Sequence, residues 1–144
     1  MTDPRKSKIY FFFEKPTALR SRTKLKKFIE NIFRRERTKL QMINFIFCSD
    51  EYLRAINKNY LNHDFYTDIL TFQLSRSGEP VEGEIYISVD RIIENALSFG
   101  ESRMREIHRV IFHGALHLCG YKDNRKAEKK QMREKEDLYL KSYL

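Results

Sequence analysis

Two histidines stand four residues apart in the stretch His113-Gly-Ala-Leu-His-Leu-Cys-Gly-Tyr-Lys-Asp123. A helix returns to one face at that spacing, so His113 and His117 can aim both imidazoles at one point. Gly120 follows, and glycine takes the left-handed conformation that stops a helix at little cost. The turn it allows can carry Asp123 back beside the histidines. Two imidazoles and one carboxylate form an open metal set, with a position left for water or substrate. One divalent ion is expected, zinc first, although the same set suits iron(II), manganese(II) or nickel(II). Such a centre acidifies water and polarises a carbonyl or phosphoryl oxygen, so the reaction class is hydrolysis. Helical zinc proteases carry His-Glu-x-x-His, with the glutamate as general base. Gly114 holds that position here and cannot move a proton, which disfavours peptide hydrolysis by that route.

The elements that must hold these residues can be read from periodicity. Met104, Ile107, Ile111, Ala115 and Leu118 recur at helical steps, with Ser102 as N-cap, and place both histidines on one helix. Cys119, two residues after His117, points away from the histidine face and is expected to pack, as is Cys48. Upstream, Ile9–Phe13 reads as a strand ended by Pro16. A helix follows over 21–37, with Leu25, Phe28, Ile29, Ile32 and Phe33 on one stripe and most of its basic residues off it. Leu40–Cys48 is nearly continuous apolar strand, which predicts burial on both faces. Ser49 caps a helix to Tyr60, with Leu53, Ile56 and Tyr60 inward. A polar loop at 62–64 precedes a strand over 67–74, and a turn over 75–80 leads to a strand over 83–88. Ser88 caps the next helix, with Ile92, Ile93, Ala96 and Leu97 inward and Gly100 as stop. The run from Asn124 to Leu144 reads as a terminal helix with Met132, Leu138, Tyr139 and Tyr143 as contacts. The order β-α-β-α-β-β-α-α-α predicts an α+β fold: one domain over 1–144, a small mixed sheet packed with helices, and the metal-binding helix at its centre.

The formal charge of +8 over 144 residues is unevenly placed. Residues 1–40 carry 13 Lys or Arg against 4 Asp or Glu, whereas residues 41–144 carry 15 against 16. A clustered positive field favours a polyanion and makes binding salt-sensitive. Lys24, Lys27 and Arg34, on the outer face of the 21–37 helix, are the candidate RNA contacts. No apolar run approaches the roughly 18 residues of a membrane span. With no signal-peptide pattern at the N-terminus and only two cysteines, a reducing cytoplasm is expected.

The stretch His-Gly-x-Leu-His-Leu-x-Gly-Tyr resembles the signature of the YbeY endoribonucleases, bacterial ribosomal-RNA maturation factors. A second segment is similar as well: Asp64, Thr67, Asp68, Leu70 and Phe72 match a family motif, and Gly83–Ser88 matches another. The resemblance covers about residues 42–123. In the family the third ligand is a histidine, and Asp123 stands at its spacing. A second registration would put Asn124 there, but an ionised carboxylate binds zinc and a neutral amide is a poor ligand. Tyr66 replaces a family proline, and Leu61 replaces a family arginine, so no catalytic residue is carried over. The resemblance implies a metal-dependent endoribonuclease of single-stranded RNA that acts in ribosomal-RNA processing, with the small ribosomal subunit or its proteins as partners and no membrane. The alternative is a non-catalytic RNA- or ribosome-binding assembly factor with a structural metal; a metalloprotease-like hydrolase is a distant third. Both His117→Ala and Asp123→Ala are expected to lose most bound metal in protein purified without chelator. Asn124→Ala should keep it and Asp123→His should be tolerated, as read by elemental analysis. Retention by Asp123→Ala with loss by Asn124→Ala would establish the other registration.

Overall fold

Alternation, capping and two close glycine contacts build the architecture of this chain; the computed structural model describes residues 7–61 and 67–144. His63, Asp64 and Tyr66 lie outside the described residues. Strand β1 (Ile9–Phe13) leads through helix α1 (Arg22–Arg35) to β2 (Leu40–Cys48). Helix α2 (Asp50–Leu61), β3 (Ile69–Gln73) and β4 (Val81–Ser88) follow. Three helices complete the chain: α3 (Val89–Phe99), α4 (Arg103–Leu118) and α5 (Lys126–Tyr143). The sheet order is β1-β2-β4-β3. β1 and β4 lie parallel to β2, as expected of strands joined by helical crossovers, and β3 joins β4 antiparallel through a short turn. The α+β mixed sheet expected from the element order is therefore present. Among the described residues, no helix is long and apolar enough to cross a membrane.

One row of inward side chains carries the core. Ile9, Ile43, Phe45, Phe47, Ile85 and Ile87 are each 0% exposed and pack beneath α1, α4 and α5. Burying each contributes on the order of 1.5–3 kcal/mol. The other face is less covered than the apolar run of β2 predicts. There Phe12, Ile46, Tyr86 and Leu70 stand in register across the four strands, and Phe12 is half exposed. Four inward assignments also fail. Tyr60, Leu97, Met104 and Leu138 are exposed, and Asn57 and Leu140 occupy buried positions on α2 and α5 instead. Each outlier sits at the margin of its stripe, where periodicity alone does not decide which side meets the sheet.

The predicted caps form. The Ser88 hydroxyl accepts from the Arg91 N–H at 3.1 Å, and the Ser102 hydroxyl accepts from the Arg105 N–H at 3.0 Å. Helix α4 is buried around most of its circumference, which makes it the central helix. Its approach to the sheet is set by glycine. A Cβ on Gly114 would stand 3.0 Å from side-chain atoms of both Ile69 and Ile85. Below it, a Cβ on Gly83 would meet Leu118 Cδ1 at 2.8 Å. A branched side chain in that gap must push the helix outward, so Gly114→Val should lower stability by about 1–3 kcal/mol in urea denaturation. Unchanged stability would mean that α4 does not depend on this close contact.

Candidate metal centre and active-site cleft

The helical repeat puts His113 and His117 one turn apart on α4, with ring centroids 4.5 Å apart. Helix α4 is capped at Cys119, and Gly120 then turns the chain at φ 101°. The Tyr121 N–H donates back to the Leu116 carbonyl at 3.1 Å, closing the helix end. That closure returns the chain far enough for Asp123 to reach the histidines. His113 Nε2 and His117 Nε2 are 3.0 Å apart, and Asp123 Oδ2 stands 3.2 Å from the first and 3.4 Å from the second. Asn124 lines the same cleft.

The hydrogen bonds behind the rings fix what the triangle offers. The His117 Nδ1–H donates to the Tyr121 carbonyl at 2.9 Å, because a carbonyl only accepts. His113 Nδ1 faces the Glu136 carboxylate at 2.6 Å and donates to it. Both Nε2 atoms are thus left to present lone pairs to each other and to a carboxylate oxygen. Three acceptors at such distances repel unless a cation sits among them. Ligand atoms held about 2.0–2.2 Å from a tetrahedral zinc lie about 3.3 Å apart, close to the edges of this triangle. Burial opposes charge on His113, but the Glu136 hydrogen bond and the charges of Glu136, Asp123 and Asp68 outweigh it and hold its pKa above the usual histidine value. The residues therefore fit a divalent ion.

The triangle opens on a cleft of about 850 Å³ between β3, α4 and α5. Its charged lining is two arginines, Arg109 and Arg133, against four carboxylates, Asp68, Glu106, Asp123 and Glu136. Arg109 is buried and already engaged: its Nη1 donates to Glu136 at 3.2 Å and to Asp137 at 2.9 Å. Glu136 thus joins Arg109 to His113. Burial pushes the Asp68 carboxyl pKa up; the charge of His113 opposes this, while those of Glu136 and Asp123 add to it. Leu61 and Phe99, both exposed, form part of the cleft's apolar lining.

Sequence reading missed Glu136 and the role of Arg109. The signal for Glu136 was present: it falls on the stripe of Met132, Tyr139, Leu140 and Tyr143, and an acid on an apolar stripe needs a partner. Both cysteines pack as expected, and burial raises each thiol pKa to about 12. Lys24, Lys27 and Arg34 do not line this cleft; they line a separate groove.

Comparison with known proteins places these features in context. Residues 13–144 match the family model described as endoribonuclease YbeY. An endoribonuclease YbeY of Cytophaga hutchinsonii is 44% identical over 137 residues, spanning 94% of this chain and 96% of that protein. One from Christiangramia forsetii is 43% identical over 132 residues, spanning 92% of each. The solution structure of a Thermotoga maritima protein aligns with a TM-score of 0.66 at 29% identity, over 94% of this chain and 88% of that one.

A carboxylate behind a ligating histidine fixes its tautomer and raises its basicity. Glu136→Gln keeps an acceptor but removes the charge. It should weaken zinc binding by about 10–100-fold, measured by competition with a chelating dye. Unchanged affinity would mean that Glu136 does not support His113 as a ligand.

Proposed function

Because the chain belongs to the YbeY endoribonuclease family, we propose that it is a metal-dependent endoribonuclease of single-stranded RNA. On this reading it acts in ribosomal-RNA processing in the cytoplasm, alongside the small ribosomal subunit. The observation that carries the proposal is the triangle of His113, His117 and Asp123 at the floor of an open cleft. A divalent ion held by these residues, with zinc first, supplies Lewis acidity toward a phosphoryl oxygen and acidifies water.

The chain's own residues have separate tasks. Glu136 and the Tyr121 carbonyl hold the two imidazoles in the tautomer that turns each Nε2 inward. Arg109 holds Glu136. Arg133, half exposed on the cleft wall with its Nη1 3.8 Å from Glu136, is a cation that a phosphate can reach. Asp68 and Glu106 are cleft carboxyls whose burial favours the protonated form, and Asp68 also feels the charges of His113 and Asp123, which makes it the candidate to exchange a proton with the substrate. The protease alternative loses ground because Gly114 stands where that mechanism needs a glutamate.

A non-catalytic RNA-binding factor is the second reading. Its support is that the cleft lining is more acidic than basic and that Leu61 stands where the resemblance expects an arginine. Incubation with end-labelled single-stranded RNA separates the two, with metal content determined on the same sample. Cleavage that stops on chelation and in His117→Ala, with duplex RNA left intact, is the expected result. Full metal occupancy with uncut RNA would overturn the catalytic reading.

A further inference from the structure

The cleft is poorly suited to hold a polyanion by itself, yet the chain carries a strong positive surplus. The surplus gathers in one place. A groove of about 1580 Å³ runs along α1 and the starts of β1 and β2, and it shares no lining residue with the cleft. Seven lysines and arginines line it, among them Lys8, Lys24, Lys27, Arg34, Arg37 and Lys39, against a single carboxylate, Glu30. None of the seven forms an ion pair among the described residues, although Lys24 lies over the Tyr143 ring. Charges left unneutralised along a groove make a continuous positive track.

Two details favour a single strand as the occupant. Tyr10 lines the groove and is 38% exposed, with the Lys26 ammonium 5.9 Å from its ring centre. Proteins that hold unpaired nucleic acid combine a basic track with an exposed aromatic on which a base stacks. The groove floor also carries a β-bulge between Leu40 and Met42, where Gln41 is the extra residue and is exposed. Its Arg37 end adjoins, in sequence, the residue that ties α1 to the Gly120 turn. Arg37 and Thr38 line the groove, and the adjacent Glu36 accepts from the Tyr121 hydroxyl at 2.6 Å, on the turn that carries Asp123. Exposed Lys122 sits on that same turn.

We propose that this groove is a second single-stranded RNA tract, which holds the phosphate backbone while the neighbouring cleft receives the segment to be cut. The proposal rests on RNA being the substrate, and its test is therefore a binding assay that needs no cleavage. Labelled single-stranded RNA of about 20 nucleotides is titrated in chelator by fluorescence anisotropy over a range of salt. The full-length chain should show log affinity falling linearly with log salt, by about 0.7 per phosphate contact. Lys24→Gln, Lys27→Gln and Arg34→Gln together should flatten that slope by about 2 and weaken binding by roughly tenfold or more at physiological salt. A charge-matched control on exposed α5 positions, Lys126→Gln with Lys129→Gln and Lys130→Gln, should leave the slope as it was. Tyr10→Ala should weaken binding roughly fivefold or more without changing the slope, and Tyr10→Phe should restore it. Thermal melting confirms that each variant is folded. An unchanged slope in the groove variant overturns the proposal, as does equal flattening in the control. Tight binding of phosphatidylglycerol vesicles with no RNA binding overturns it in favour of a membrane surface. Normal groove-dependent binding in a protein that cuts no RNA would uphold the groove and defeat only the catalytic reading.

Discussion

The site depends on the close approach of the middle of α4 to the sheet. Gly114 leaves only the width of a hydrogen between the helix backbone and the side chains of Ile69 and Ile85. Gly83 makes the matching space beneath Leu118. Side chains one position before and three positions after Gly114 are carried with the helix, and these are His113 and His117. Moving α4 outward by one methyl would shift both imidazoles away from Asp123, which belongs to a separate turn. The tight packing of protein interiors therefore sets the geometry of the ligand triangle.

Two supports running to other elements keep the triangle closed. Glu136 of α5 reaches His113, and Glu36 at the end of α1 reaches Tyr121, whose carbonyl holds His117. The Glu36 carboxylate also accepts from the Tyr139 hydroxyl and from Lys135. Burial works against its charge, but the hydrogen bonds from both tyrosines and Lys135 outweigh that and hold its pKa below the usual carboxylate range. A charge kept ionised in this position joins α1, the Gly120 turn and α5 into one frame. Orientation of ligands by partners one step removed is a general property of metal sites.

Much of this was legible in the sequence because local rules govern it. The His113–His117 spacing, the caps at Ser88 and Ser102 and the stop at Gly120 are set by backbone geometry within a few residues. The order of elements followed from changes of period, and the parallel pairing followed from that order. What escaped was non-local. Glu136 lies 23 residues beyond His113, and nothing local to α5 says which residue its acid meets. Arg109 reads as one more polar residue on a helix until the three carboxylates around it are placed. The half-open second face of the sheet was misread because an apolar run does not reveal whether enough helix is available to cover both sides. The charge count located the basic half of the chain. Only the fold shows that those residues line a groove apart from the cleft.

That separation has an electrostatic consequence for the proposed function. The cleft lining holds four carboxyl groups and two arginines, and burial favours the neutral form of Asp68, so the lining by itself offers a phosphate little attraction. A divalent ion at the triangle would add positive charge there. An aspartate as third ligand leaves that loaded site one unit less positive than a third histidine would. On the proposed function, attraction of RNA to the cleft would be linked to metal loading, and by reciprocity RNA in the cleft would strengthen the hold on the metal. The groove has no such dependence, because its cations are lysine and arginine side chains rather than a bound ion. With the groove and cleft acting as proposed, one chain would retain RNA through the groove in either metal state and admit the scissile segment only when the triangle is loaded. Retention and cleavage would then be separable properties of this surface, and a protein that had lost its metal would still bind RNA.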